Sequence, residues 1–267
     1  MQKSPKRPAA FVLSSTDHGS MLVNRHDYRL VEGGGYGVGF QLLETSSFDA
    51  DEVGFILQLL DIRRRHFGDG LIAIDCGANI GVHTVEWARH MHGWGDVLAF
   101  EAQERIFYAL AGNLTLNNCF NARAIWAAVG ASNGAIRVPV PNYLVPSSFG
   151  SLELRQSAGT EFIGQHIDYS DAATQTVQMM AIDSIGLPRL DLIKIDIEGM
   201  EMEALQGARE AIARLKPHLL IEKIKSNEEQ LVRFVTELGY TVFPLGINIL
   251  AIHGSDPAAA ELRAAFQ

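Results

Sequence analysis

Short apolar runs alternate with amphipathic stretches over residues 71–252. Apolar runs predict buried strands, and stretches with an apolar position every three or four residues predict helices. The predicted strands are residues 71–74, 96–101, 122–130, 191–196, 218–222, 241–246 and 248–252. The predicted helices are residues 49–66, 82–91, 104–117, 201–215 and 227–238. Regular alternation of strand and helix is typical of a parallel sheet with helices on both faces.

The last two predicted strands are separated by almost no chain, at residue 247. Two strands joined so closely must run antiparallel. We therefore predict an α/β, Rossmann-like fold with a mostly parallel seven-stranded sheet that ends in an antiparallel hairpin.

Outside this alternation the pattern is weaker. Residues 1–24 look poorly organised, and residues 28–31 suit a short strand. The glycine-dense residues 33–39 suit a loop or hairpin, with phosphate binding as a lesser alternative. We divide the chain into an N-terminal arm and helix (1–66), a core domain (67–255) and a C-terminal tail helix (256–267). The core includes an inserted lid or substrate loop over residues 131–180, because long polar loops in compact domains are usually functional or disordered.

The most informative stretch is the turn after the first core strand. Asp75 ends that strand, and Gly77, Asn79 and Gly81 follow at a spacing that is not the dinucleotide fingerprint G-x-G-x-x-G. Glycines let the backbone approach a ligand closely, and the helix start that follows favours an anionic group. An acid before the turn suits a ligand with a positive end, such as the methionine part of S-adenosylmethionine (AdoMet). A tight turn without a ligand is the alternative.

Acidic side chains also end later strands. Glu101 can accept hydrogen bonds from the two hydroxyls of a ribose, which both NAD and AdoMet carry. Lys194, Asp196 and Glu198 crowd the end of another strand, where shifted pKa values would suit proton transfer, or where a structural ion pair would form.

Three further features leave alternatives open. Asp196, Glu198 and Glu222 together could bind Mg²⁺, which we hold as a lesser possibility because hard cations take carboxylate oxygens. Asn113 and Asn117 share one helix face and either support the site or are ordinary surface residues. The basic run Arg63-Arg64-Arg65 complements the dipole at a helix end.

Composition narrows the classes of protein. The chain of 267 residues is 47% hydrophobic and 20% charged, as in globular proteins, and no apolar run is long enough to cross a membrane. A net charge of −9 argues against a nucleic-acid partner. With only Cys76 and Cys119 and no visible signal peptide, we expect a cytoplasmic protein.

With these residues in view, the chain resembles the FkbM-type methyltransferases over roughly residues 70–253. The resemblance rests on these segments: 75–81 (DCGANIG), Phe100-Glu101, Asn113-x-x-x-Asn117, 149–151 (FGS), Ile182-Asp183 and 194–201 (KIDIEGME). The chain departs from that family's pattern at Ala102, where proline is frequent, and at Met200, where histidine is frequent. These departures bear on local substrate geometry.

The resemblance implies a class I, AdoMet-dependent methyltransferase that acts on a hydroxyl of a sugar, natural product or other small molecule or glycan. By the same resemblance, Asp75, Gly77, Asn79 and Gly81 hold the methionine end, Glu101 holds the ribose and Asp196 lies beside the transferred methyl. The candidates for taking the hydroxyl proton are Lys194, Asp196, Glu198 and His166, of which we favour the carboxylates.

Two other functions stay open at this point. The first is an NAD-dependent oxidoreductase, which the asparagine at position 79 and the terminal hairpin oppose. The second is a non-catalytic AdoMet-binding protein. A divalent metal is possible but not expected, and the oligomeric state cannot be predicted.

Overall fold

The computed structural model describes residues 8–259 and 261, and over this part the chain forms fourteen strands and seven α-helices. The strands are β1 (Phe11–Thr16), β2 (Gly19–Asn24), β3 (Arg29–Val31), β4 (Gly34–Tyr36), β5 (Leu71–Cys76), β6 (Gly95–Glu101), β7 (Ala122–Trp126), β8 (Ala128–Val129), β9 (Gly134–Pro139), β10 (Thr174–Met180), β11 (Leu192–Ile195), β12 (His218–Glu222), β13 (Tyr240–Leu245) and β14 (Asn248–His253). The helices are α1 (Val38–Thr45), α2 (Ala50–Phe67), α3 (Val82–His90), α4 (Glu104–Leu116), α5 (Glu201–Gln206), α6 (Arg209–Leu215) and α7 (Glu228–Glu237).

The central sheet has seven strands in the order β13-β14-β12-β11-β5-β6-β7. Every neighbouring pair is parallel except the two pairs that β14 forms with β12 and β13. This confirms the predicted fold class, including the antiparallel hairpin at its end. The parallel strands end at one edge, where their carboxyl-terminal residues meet.

Both faces of the sheet are covered, because successive side chains of a buried strand point to opposite sides. From β5, Leu71 and Ala73 join the apolar cluster that contains residues of α2, α3 and α4. Ile74 and Cys76 join the cluster that contains residues of α5, α6 and α7. Helices therefore lie on both faces, as predicted.

Two predicted elements are interrupted. The predicted strand over residues 122–130 leaves the sheet after Trp126, and β8 pairs instead with β10 in a separate sheet of order β8-β10-β9. The prediction of one helix over residues 201–215 is wrong: α5 ends before Gly207, where a Cβ would lie 2.1 Å from the Gly130 carbonyl oxygen. The carboxylate of Asp183 then accepts hydrogen bonds from the N–H of Glu210 and Ala211, which favours a new helix start.

The N-terminal arm is better ordered than its sequence indicates. Residues 8–24 were predicted to be poorly organised, which is wrong, because β1 and β2 form an antiparallel hairpin with Met21 and Val23 fully buried. Of the loop or hairpin predicted for the glycine-dense segment, the structure shows a hairpin, because β3 pairs with β4. The predicted tail helix lies mostly outside the described residues.

Asp49 directly precedes α2, and its side chain makes no capping hydrogen bond. Across residues 8–259 and 261, none of the helices combines the length and the apolar character that a membrane crossing requires.

Candidate active site

A cavity of about 330 Å³ opens at the carboxyl edge of the sheet, between the N-terminal arm and the segment 148–154. Most of the predicted site residues line it, although they come from four different strand ends. These are Asp75, Gly77, Asn79, Glu101, Lys194, Asp196, Glu198 and Glu222. Gly81 lies just beyond the lining, between Ile80 and Val82, which both line it. His166 is not among the lining residues; it is exposed and packs against Phe162.

The turn after β5 accepts only glycine at two positions. Gly77 has φ 81°, and a Cβ there would lie 1.8 Å from the backbone oxygen of Asp196. Gly81 has φ 90°, and a Cβ there would lie 2.5 Å from Cδ1 of Leu110. The turn is thus wedged between the end of β11 and helix α4, which leaves its backbone open towards the cavity.

Asp75 is fully buried and only partly satisfied. One carboxylate oxygen accepts a hydrogen bond from the Thr84 hydroxyl at 2.6 Å, while Oδ1 has no partner within the described part of the chain. Burial raises the pKa of Asp75, and the neighbouring Lys194 opposes this rise. A buried carboxylate oxygen without a donor is unfavourable, so this site fits a ligand that brings a cation or an N–H group.

Glu101 is held by backbone N–H groups on both of its oxygens. Asn79 donates to Oε2 at 3.0 Å and Gln103 donates to Oε1 at 2.7 Å. Burial nevertheless raises the pKa of Glu101 to about 7. Its side chain is fixed in place at the cavity wall, and each oxygen keeps a lone pair for a further donor.

Lys194 and Asp196 form an ion pair at the end of β11, with Nζ 2.7 Å from Oδ2. Burial lowers the pKa of Lys194, but the carboxylates of Asp196, Asp75 and Glu52 more than reverse this, so that its pKa is raised overall. Lys194 is therefore an ammonium at neutral pH. The Asp196 side chain keeps 34% of its surface exposed, so a bound molecule can reach it.

Two glutamates lie beside Asp196. Burial and the charge of Asp196 raise the pKa of Glu198 to about 7, although Lys225 contacts its carboxylate at 2.6 Å. Burial and the charges of Asp196 and Glu198 raise the pKa of Glu222 to about 8. One oxygen from each of Asp196, Glu198 and Glu222 lies within 4.8 Å of the others, an arrangement that could hold a divalent cation.

One group at the arm side of the cavity was not predicted from the sequence. Glu52, near the start of α2, accepts a hydrogen bond from Asn248 at 2.6 Å, and its other oxygen lies 3.4 Å from Nε2 of His83. Burial and Lys194 lower the pKa of His83, so that its ring is neutral. Glu52 and Asn248 are 196 positions apart, so no local pattern could have indicated their contact.

The fold and the cavity together define an α/β protein whose cavity lies at the carboxyl ends of β5, β6, β11 and β12. The sequence profile of the methyltransferase FkbM domain matches residues 75–242. Because this match covers more than half of the chain, the protein belongs to that family, which confirms the resemblance.

Two curated relatives are similar in sequence. Methyltransferase sdnD from Sordaria araneosa is 26% identical over 170 residues, which is 56% of this chain and 64% of that protein. Methyltransferase 1 from Beauveria bassiana (strain ARSEF 2860) is 24% identical over 153 residues, which is 53% of this chain and 59% of that protein. The matched part of this chain thus spans about three fifths of each relative's length.

Among solved structures, a methyltransferase FkbM from Methylobacillus flagellatus KT is 22% identical, with a TM-score of 0.48 over 69% of this chain and 44% of that one. A methyltransferase from Streptococcus mutans, described as putative and solved with SAH, is 14% identical, with a TM-score of 0.43 over 74% of this chain and 96% of that one.

Proposed function

We propose that this protein transfers a methyl group from AdoMet to a hydroxyl of a small molecule, sugar or natural product. The observation that carries the proposal is the pairing of an unsatisfied buried oxygen on Asp75 with a fixed carboxylate on Glu101 across one glycine turn. The first suits an ammonium group and the second suits a ribose diol, and AdoMet carries both. Membership of the FkbM family supports the same reaction.

The cofactor would be held by residues of three elements. Asp75 accepts from the amino group, and Glu101 accepts from the ribose hydroxyls. The first N–H groups of α3, from Val82 onward, have no helical acceptor and favour the carboxylate of the methionine end. Bound AdoMet supplies an electrophilic methyl group on a sulfonium.

The residues at the end of β11 then act on the acceptor. Lys194 remains charged, so it is unsuited to take a proton and instead fixes Asp196 through their 2.7 Å contact. Asp196, the most exposed of this group, orients the acceptor hydroxyl. Glu198, with a pKa of about 7, takes the proton, since a base works best with a pKa near the operating pH. Positioning supplies most of the remaining rate enhancement.

A divalent cation held by Asp196, Glu198 and Glu222 is a second possibility, favoured by the 4.8 Å clustering of their oxygens. Such an ion would lower the pKa of the acceptor hydroxyl in place of a protein base. Methyl transfer measured with EDTA and with added Mg²⁺ separates the two mechanisms, because only the metal mechanism loses activity in EDTA.

Titration calorimetry with AdoMet and NAD tests the proposed cofactor. We expect AdoMet, not NAD, to bind the wild type, and Glu101→Gln to weaken AdoMet binding about tenfold to hundredfold, as for lost charge-assisted hydrogen bonds. Glu104→Gln is the matched control, because Glu104 lies outside the cavity lining and accepts a hydrogen bond from Tyr108. Preferential binding of NAD would contradict the proposal. Loss of affinity in both variants would show that Glu101 has no special part in binding.

A further inference from the structure

Two asparagine side chains hold the N-terminal hairpin, Asn113 in the last turn of α4 and Asn117 directly after that helix. The amide of Asn113 accepts from the Leu22 N–H at 2.5 Å and donates to the Leu22 carbonyl at 3.3 Å. The amide of Asn117 accepts from the Ser20 N–H at 3.1 Å and donates to the Ser20 carbonyl at 2.9 Å. The two asparagines are four positions apart, and the residues of β2 that they contact are two positions apart. Their amides therefore satisfy backbone N–H and C=O groups on the edge of β2 that faces away from β1.

The two asparagines differ in their third hydrogen bond. Asn113, which is fully buried, also donates to the Ile80 carbonyl at 2.8 Å. Asn117 instead donates to the backbone carbonyl of Asn113 at 2.8 Å, at the end of α4. Only Asn113 therefore links the hairpin to the glycine turn at the cavity.

Ile80 directly follows Asn79, whose backbone N–H holds the Glu101 carboxylate in place. The Asn79 backbone has φ 50°, its N–H donates to Glu101 at 3.0 Å, and its side chain accepts from the Ile80 N–H at 2.7 Å. Left-handed backbone at a residue other than glycine persists only when its surroundings hold it. The Asn113 amide is part of what holds this turn, because it satisfies the buried carbonyl directly after Asn79.

We infer that Asn113 is a positioning residue that couples docking of the β1-β2 hairpin to cofactor affinity. The inference rests on the proposed function. The hairpin lies outside residues 75–242, the part that matches the family, yet through Asn113 it sets the geometry of the cofactor turn. Loss of the donated hydrogen bonds leaves the Ile80 carbonyl unsatisfied, and the turn relieves this by moving the Asn79 N–H away from Glu101.

Asn113→Asp and Asn117→Asp form a matched pair for the test. Each keeps the oxygen that accepts from β2 and loses the N–H that donates to it, but only Asn113→Asp loses the contact with Ile80. Calorimetry should show AdoMet Kd raised about tenfold in Asn113→Asp and within about twofold of the wild type in Asn117→Asp. Asn113→Ser, which is neutral and smaller, serves if the aspartate prevents folding.

Amide hydrogen exchange shows whether a substitution loosens the glycine turn or only the hairpin. We expect faster exchange over residues 77–82 in the Asn113 variants, and faster exchange over residues 19–24 in variants at both positions. Equal AdoMet affinity for the two aspartate variants would overturn the inference while leaving the proposed function intact. Absence of AdoMet binding by the wild type would contradict the proposed function and remove the inference with it.

Discussion

Buried acids are compensated by nearby cations at one edge of the central sheet and only partly compensated at the other. At the amino edge, the Arg63 guanidinium contacts Asp191 at 3.0 Å and also pairs with Asp256. Arg189 reaches Asp191 at 2.8 Å, and His218 reaches Asp256 at 3.1 Å. Burial acts to raise the pKa of Asp256, but His218 and Arg63 outweigh it and hold that pKa near 2. Cations and hydrogen bonds compensate the acids there.

At the carboxyl edge the acids outnumber the cations. Burial raises the pKa of Glu101 and Glu198 to about 7 and that of Glu222 to about 8, with Lys194 and Lys225 as the neighbouring cations. Compensated charge at the amino edge supports the fold, whereas under-compensated charge beside a cavity marks a place for a ligand. The difference also predicts that removing a charge lowers stability at the amino edge but not at the carboxyl edge.

Arg63→Met should give the largest effect on stability. Removing the guanidinium leaves Asp191 and Asp256 buried without their main cation, which costs about 3–5 kcal/mol in free energy of unfolding. AdoMet Kd of the folded fraction should not change, because Arg63 is remote from the cavity lining. Urea unfolding and calorimetry measure the two quantities. Arg64→Met, which removes an exposed pair with Asp69, is the control and should cost less than about 1 kcal/mol.

Glu222→Gln should instead increase the free energy of unfolding. Because this carboxylate is buried beside Asp196 and Glu198, the neutral amide should raise the free energy of unfolding by an amount on the order of 1 kcal/mol. Methyl transfer should fall in the same variant if Glu222 helps to hold a divalent cation. Glu229→Gln on the exposed face of α7 should change stability by less than about 0.5 kcal/mol. A destabilised Glu222→Gln would mean that the acidic cluster supports the fold.

The stability of the protein should also depend on pH. The folded pKa of Glu198, about 7, and of Glu222, about 8, exceed the ordinary value of 4.5, so the folded protein holds protons that the unfolded chain has released. These groups should therefore lower the free energy of unfolding as pH rises from about 5 to about 8. Urea unfolding across this range should show a smaller decline in Glu222→Gln than in the wild type. An identical slope in both proteins would contradict this assignment.

The sequence predicted the carboxyl edge better than the amino edge. Asp75, Glu101, Asp196 and Glu222 each end an apolar run, and the ends of parallel strands meet, so their convergence follows from a local pattern. Arg63 was interpreted as part of a basic last helical turn, but its partners lie 128 and 193 positions away. The local periodicity of a sequence cannot indicate contacts between residues so far apart along the chain.

The hairpin β1-β2 was missed for a related reason. Its outer edge pairs with the side chains of Asn113 and Asn117, at and just after the end of α4, rather than with another strand, so no neighbouring strand signal supports it. Asn113 and Asn117 carried the only hint, their shared helix face, and surface residues show the same spacing. Likewise, Glu52 lies in an arm outside the strand and helix alternation, and its place in the cavity depends on the fold as a whole.

Proton release on cofactor binding tests the contrast between the edges most directly. AdoMet should be titrated at pH 7 in phosphate and in Tris, two buffers with different ionisation enthalpies. A ligand with a net positive charge favours ionised carboxylates, so binding should lower the raised pKa values at the carboxyl edge and release protons, and affinity should increase between pH 6 and 8. Binding with no proton release, or with proton uptake, would contradict the view that these acids lie ready for a cationic cofactor.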